Sequence, residues 1–289
     1  MAISDNGKLF ESFISQLYHF VAFKLKNSQT QLDKAMFIIS IDIDVGSEML
    51  GSVNRGENDR NVNKFLSEGA IGKIEEAALP LFVDLFTNLD VPATFAVRGQ
   101  LLDIDSSALE LLINSPVRHD IGAHGYSHRK FRSLSTEEAE NELSMISTST
   151  KKLGITPESF IFPVNSIAHL DLLEKYDYKC YRGHGGFIND CMQIEKESKL
   201  YNIHPSLYID RNMNSWLLKK IVAIAVSKKA PFHIWFHLWN FGESKESIQK
   251  GINQVILPLL NYAKKQEDKG LLAFETMASS IGKIENIIH

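Results

Sequence analysis

The chain is poor in several features that would place it at once. It has two cysteines, Cys180 and Cys191, too few for a disulfide framework or a zinc ribbon. They read as two reduced thiols, with a bridge between them left open. No uninterrupted apolar run is long enough to span a bilayer, so no transmembrane segment is expected. The first residues, MAISDNGKLFESF, lack a basic region leading into an apolar stretch; no secretory leader is expected, and a cytoplasmic location follows by default. Long basic runs are missing too. The pairs Lys151-Lys152, Lys219-Lys220, Lys228-Lys229 and Lys264-Lys265 are scattered, the net charge is −4 and the pI about 6.2, so nucleic acid is not an expected partner. Internal repeats, low-complexity tracts and Pro/Gly-rich linkers are absent from the sequence, which favours a single domain.

What is present is an ordinary globular composition, 44% apolar and 23% charged, over 289 residues. That length suits one α/β barrel with a sizeable core. Residues 1–34 read as an N-terminal amphipathic helix packed on the domain, with Leu9, Phe10, Phe13, Ile14, Leu17, Phe20 and Val21 at helical spacing. Residues 35–289 then alternate strands and helices. Strands are expected at Met36–Val45, Ala93–Val97, Asp120–Ile121, Ser159–Pro163, Tyr178–Arg182, Phe232–Trp239 and Leu271–Phe274. Between them, Pro80 sits in the first turn of one helix, and Ser135 with Glu138 forms a capping box that opens another. Such alternation predicts parallel strands with helices outside, and polar residues gathered at the strand ends.

Three segments carry the chemistry. In Ile41-Asp42-Ile43-Asp44-Val45, residues two apart point the same way, so two carboxylates face one place in an apolar strand; unpaired buried charge is costly, which asks for a cation or for two distinct roles. In His119-Asp-Ile-Gly-Ala-His124-Gly-Tyr-Ser-His128, the two later histidines are four apart and share one side if the stretch forms a helical turn. Two histidines with one carboxylate make an open metal site with a position left for water. His119 reads as a local hydrogen-bonding residue. In Ile234-Trp-Phe-His237-Leu-Trp-Asn240, His237 lies near the end of an apolar strand and suits a general acid, while His233 reads as structural.

This ordered set resembles the polysaccharide deacetylase (NodB-homology) family over about residues 36 to 275. The resemblance implies a distorted (β/α) barrel and one divalent metal, zinc by family usage, held by Asp44, His124 and His128. It implies Asp42 as catalytic base, His237 as catalytic acid, and removal of an N-acetyl group from an amino sugar or its conjugate. A backbone N–H just after Pro163, that of Val164, would help to hold the oxyanion. One departure stands out: where the family places an arginine against the base, this chain has Ile161 or Phe162. Arg98 and Arg182 lie near strand ends, and Arg182 is the preferred substitute. Asn165, His184, His204, Trp239 and Asn240 fall near strand-end loops and are candidates to line a carbohydrate cleft; Trp216 reads as a core aromatic, and the loop Asn54–Asp59 as a cover. Two alternatives remain: hydrolysis of another non-peptide C–N bond, and a metal-containing carbohydrate-binding protein with little catalysis.

Overall fold

The computed structural model describes residues 5–30, 32–43, 77–104, 106–184, 192–242 and 244–288. Asp44, the Asn54–Asp59 loop and Cys191 lie outside the described residues. After α1 (Asp5–Leu25) comes β1 (Ala35–Ile43), whose nine residues are all buried. Then follow α2 (Leu79–Leu89), β2 (Thr94–Val97), α3 (Gly99–Ile104), α4 (Ser107–Ile113) and β3 (Asp120–Ala123). The middle of the chain forms α5 (Thr136–Lys152), β4 (Ser159–Ile161), α6 (Leu170–Lys175) and β5 (Cys180–Arg182). The hairpin β6 (Ile194–Glu197) and β7 (Leu200–Ile203), the short β8 (Leu207–Tyr208), α7 (Ser215–Ser227) and β9 (Pro231–His237) come next. The chain ends with α8 (Lys245–Gly251), a π-helical turn (Ile252–Ile256), α9 (Leu257–Glu267), β10 (Leu272–Glu275) and α10 (Met277–Ile288).

These strands build one sheet in the order β6-β7-β5-β4-β3-β2-β1-β9-β8, with β10 also against β1. Every pairing is parallel except that of β6 with β7. The sheet curls into a half-barrel with β6 and β8 at its edges; the parallel pairing is what the alternating pattern predicts, and the curl is what the family resemblance implies.

Strand β1 explains how the core and the site divide the interior. Its odd residues Phe37, Ile39, Ile41 and Ile43 join Phe95, Phe232, Phe236 and the apolar faces of α2 and α7 in the outer core. Its even residues point the other way. Met36 and Ile38 pack with Ala96, Ile161, Cys180 and Ile203 and with Met277, Ile281 and Ile284 of α10, so the last helix plugs one end of the curl with apolar side chains. Ser40 and Asp42 continue the same face towards the C-terminal end of the strand, where the polar groups begin. Strand β1 is therefore apolar on both faces for most of its length, as a parallel strand covered on both sides must be.

Local signals account for most boundaries. Pro80 lies in the first turn of α2, and Ser135 and Glu138 form the reciprocal capping box that opens α5. Cys180 is a free buried thiol whose Sγ lies 3.7 Å from Ser159 Oγ. The β6–β7 hairpin was not expected from the sequence. Its turn is Ser198-Lys199, with Ser198 at φ 60°, a conformation usually signalled by Asn or Gly, and its strand β6 reads Ile-Glu-Lys-Glu.

His119 ties β3 to β2 in one protonation state. The Ala93 N–H lies 3.3 Å from Nδ1, which must accept, and Nε2 lies 3.2 Å from Ser115 Oγ. Burial lowers its pKa from 6.5 to about 4. Because the folded value lies below the unfolded one, the unfolded chain binds the extra proton first. The neutral ring thus contributes its full stability above pH 6.5 and loses it as pH falls towards 4. His119→Gln should flatten the stability-versus-pH curve in that window by about 2 kcal/mol, allowing for partial exposure, in urea titrations run at several pH values.

Candidate active site

Register brings the first residues together. In the parallel ladders, Asp42 stands beside His237 of β9 and Ala96 of β2, and Ser40 stands beside Trp235. Ser40 and Asp42 share the inner face of β1; His233, Trp235 and His237 share the inner face of β9. Across the curl, β5 contributes Arg182, which is 2% exposed. Its Nη1 donates to Asp42 Oδ1 at 2.6 Å and its Nη2 to Asp42 Oδ2 at 2.6 Å. The guanidinium thus engages the carboxylate edge to edge, a geometry that Lys cannot reproduce.

The arginine is held on other sides as well. Its Nη1 lies 3.2 Å from Ser40 Oγ, and its guanidinium carbon lies 4.3 Å from the Trp235 ring centroid. Ser40 Oγ accepts from arginine, so its own proton is available to His233 Nε2, 2.8 Å away. Burial, then the nearby Arg182 charge, lower the His233 pKa to about 3, so this ring is a neutral acceptor. His233 thus supports the site from behind. Ser40 is a site residue that the sequence reading missed, although its place two residues before Asp42 puts it on the same face.

Burial by itself pushes the Asp42 carboxyl up. The Arg182 charge, then His124, the Arg182 hydrogen bonds and His237 outweigh it and hold the group below the ordinary carboxylate value. His237 Nε2 lies 3.8 Å from Asp42 Oδ2. Its other nitrogen, Nδ1, lies 3.3 Å from Asn240 Oδ1, an acceptor, which assigns the proton there to Nδ1 and leaves Nε2 towards Asp42. Asn240 Nδ2 donates in turn to the Tyr208 hydroxyl. Trp239 stacks on the His237 ring at 4.6 Å between centroids and 20° between planes. The Trp239 Nε1 is buried and has no hydrogen-bond partner among the described residues.

The second motif sits at the end of β3. His124 is buried, and its Nδ1 donates to the Ile161 carbonyl at 2.8 Å. That bond fixes Nε2 as the nitrogen carrying the lone pair, the arrangement found in metal-ligating histidines. His124 and His128 lie 5.0 Å apart between ring centroids. The stretch between them is not a helical turn. It is a loop with Gly125 at φ 65° and His128 at φ 63°, and a side chain at position 125 would meet Pro163 at 3.1 Å. The loop is pinned from below by Glu142 of α5, whose Oε2 accepts from the Tyr126 and Ser127 backbone N–H groups at 2.9 Å each. Arg98 Nη2 reaches the Ser127 carbonyl at 3.1 Å, so this arginine serves the loop while Arg182 serves Asp42. No pattern in the sequence marks Glu142; only the packing of α5 reveals it.

The loop after β4 is strained. Val164 and Asn165 stand at φ 54° and 51°, and His169 at 56°. A β-branched residue such as Val164 rarely adopts this region, and such outliers gather at functional sites. The other cleft candidates scatter. His184 is exposed beside Arg132, and His204 lies 3.3 Å from Glu195 on the β6–β7 hairpin. Trp216 is not a core aromatic: it is 62% exposed.

Among the described residues, no three His, Cys, Asp or Glu side chains are grouped to hold a metal ion. His124 and His128 nevertheless supply two imidazole donors to such a set, and the Ile161 carbonyl gives His124 the tautomer with its lone pair on Nε2. Breaking the buried ion pair is a direct test of the geometry. Arg182→Met should lower the unfolding free energy by about 3–5 kcal/mol, and Asp42→Ala added to it should cost much less than the two losses together, in a urea double-mutant cycle.

Comparison with known proteins follows the same lines. The polysaccharide deacetylase family model matches residues 71–180. A peptidoglycan deacetylase of Helicobacter pylori is 25% identical over 142 residues, which is 48% of this chain and 46% of that protein, so the match spans about half of the relative. A solved structure from Mycobacterium smegmatis, assigned to the polysaccharide deacetylases, superposes with a TM-score of 0.65 at 12% identity, covering 88% of this chain and 91% of that one. Puue allantoinase superposes with a TM-score of 0.60 at 11% identity, covering 87% and 89%. At these identities the structural likeness speaks for the fold alone. Residues 71–180 are thus similar in sequence to the polysaccharide deacetylases, and the half-barrel around them is similar in fold to a structure of that kind.

Proposed function

We propose that the protein is a metal-dependent amide hydrolase that removes an N-acetyl group from an amino sugar or sugar conjugate. The observation that carries this reading is the cluster at the strand ends: an Asp42 carboxylate clamped by Arg182, with His237 Nε2 3.8 Å away and the buried His124 in the neighbouring loop. His124, His128 and Asp44 would hold one divalent ion, zinc by family usage. When bound, such an ion polarises water and the acyl oxygen.

The chain's own residues account for the rest. Asp42, kept ionised, takes the proton from the water that attacks the acyl carbon. Arg182 holds the carboxylate plane fixed, so the base needs no reorganisation. His237, with its Nδ1 proton held by Asn240, takes on Nε2 the proton that Asp42 has drawn from the water and passes it to the departing nitrogen. The left-handed Val164 backbone supplies an N–H for the developing oxyanion. Trp239, half-buried with one face stacked on His237, offers its other face to a sugar ring. The fold is shared with an allantoinase as well as with a deacetylase, so it does not choose between an acetamide and a cyclic ureide. The assay therefore includes both.

Acetate release from N-acetylglucosamine oligomers, measured by a coupled assay alongside allantoin hydrolysis, should show activity on the acetylated sugar alone. Asp42→Asn should lower kcat by about 10²–10⁴-fold. Metal analysis should find one ion per chain in the wild type and in Asp42→Asn, and its loss in His124→Ala. A metal-free native protein, or full activity in Asp42→Asn, would sink the assignment; hydrolysis of allantoin alone would move it to the ureide.

A further inference from the structure

Helix α1 is apolar on two opposite sides. Its inner side packs on α7 and β9. Gln16 exchanges hydrogen bonds with the N-cap Asn214, donating to its carbonyl at 3.2 Å and accepting from its N–H at 2.8 Å. Phe23 meets Phe232 edge-on at 5.7 Å, and Lys228 Nζ donates to the Phe23 and Lys24 carbonyls at the far end. The two helices therefore run side by side in the same direction, tied at both ends. The outer side carries Phe13, Ile14, Leu17, Tyr18, Val21 and Leu25, all between 41% and 76% exposed. Their spacing places them on the face opposite Gln16 and Phe23. Trp216, in the first turn of α7 and two residues after the Asn214 that Gln16 holds, adds a widely exposed aromatic. A helix apolar on both sides is expected to be covered, and among the described residues this one is covered on one side only.

The charge around the patch says what covers it. Residues 13–28 and 211–230 contain no Asp or Glu, although the chain as a whole is net negative at −4. They do contain Lys24, Lys26, Lys219, Lys220 and Lys229. Lys24 lies 5.0 Å from the ring centroid of the half-buried Phe20 and Lys220 5.3 Å from that of the exposed Trp216, so ammonium groups sit beside the aromatics of both helices. Lysine is depleted where proteins bury surface against one another, whereas helices that lie on bilayers combine Lys with Trp, Phe and Leu. Among the described residues no helix is long and apolar enough to cross a membrane, so the contact is one of surface docking. We infer that the outer face of α1, with Trp216 and the flanking lysines, docks the protein on the surface of an anionic lipid bilayer.

The test is partition onto lipid vesicles, read by co-sedimentation and by tryptophan emission. Of the three tryptophans, Trp216 is the exposed one, so its emission should shift to the blue on binding and the shift should vanish in Trp216→Phe. Phosphatidylcholine vesicles containing about one-third phosphatidylglycerol should bind the protein, pure phosphatidylcholine should bind it at least about tenfold less, and high salt should release it. Lys24→Glu with Lys220→Glu should lower the partition coefficient by about tenfold or more. Leu17→Gln/Val21→Gln/Leu25→Gln should abolish binding while the circular dichroism and melting curve stay native, since all three side chains are exposed. Failure to bind anionic vesicles, or equal binding by the triple variant, would overturn the inference. So would a micromolar dimer of the wild type that the triple variant dissolves, which would give this face to a second copy.

Discussion

The bidentate contact between Arg182 and Asp42 is the constraint on which the interior depends. Neither charge reaches water, so each is tolerable only in the presence of the other, and the geometry has to be good enough to offset two desolvation costs. That requirement reaches well beyond the two residues. It fixes how far β5 curls over β1, because the guanidinium must arrive in the plane of the carboxylate. It also explains much of the lining: the Ser40 hydroxyl and the Trp235 face take up part of what the carboxylate leaves, and a neutral His233 stands behind the serine.

Around this pair the protein uses two kinds of support. The strand side is rigid: Asp42 and His237 are neighbours in a hydrogen-bonded ladder, so their separation is set by the sheet. The loop side is held by side chains instead. His124 is aimed by the Ile161 carbonyl, and the turn that follows is gripped by the Glu142 carboxylate and the Arg98 guanidinium. Half of the left-handed non-glycine residues among the described ones lie in the loops after β3 and β4, which shows where local conformational preference has yielded to placement of groups.

Much of this was legible in the sequence, for identifiable reasons. The β1 run of β-branched residues ending in carboxylates, the capping box at Ser135, and the two histidine-bearing strand ends each rest on local patterns, and local patterns survive folding. The substitution of Arg182 for the expected arginine on β4 was also readable, because an arginine at the end of an apolar strand has few places to go. What was not legible depends on packing at a distance. Glu142 looks like any acid on an amphipathic helix until α5 is laid under the histidine loop. The β6–β7 hairpin hides behind a charged strand and a turn without Asn or Gly. Trp216 looks like core from its apolar neighbours, and only the direction of α7 turns it outward. The spacing of His124 and His128 suggested a helix and is realised by a loop; the side-chain proximity is the same, but the backbone that produces it is different.

The order in which the chain can assemble follows from where the ion pair draws its members. Asp42 and Arg182 are 140 positions apart in sequence, and the contact forms only when β2, β3 and β4 have been laid down between them. Closing so long a loop is slow, and contacts of this range come late in folding. Until then, any compact intermediate that buries β1 without β5 encloses a lone carboxylate, and one that buries β5 without β1 encloses a lone guanidinium. Both are penalised by several kcal/mol. The pair that holds the site therefore also edits the folding route, discouraging half-curled sheets and tying the appearance of the chemistry to completion of the fold.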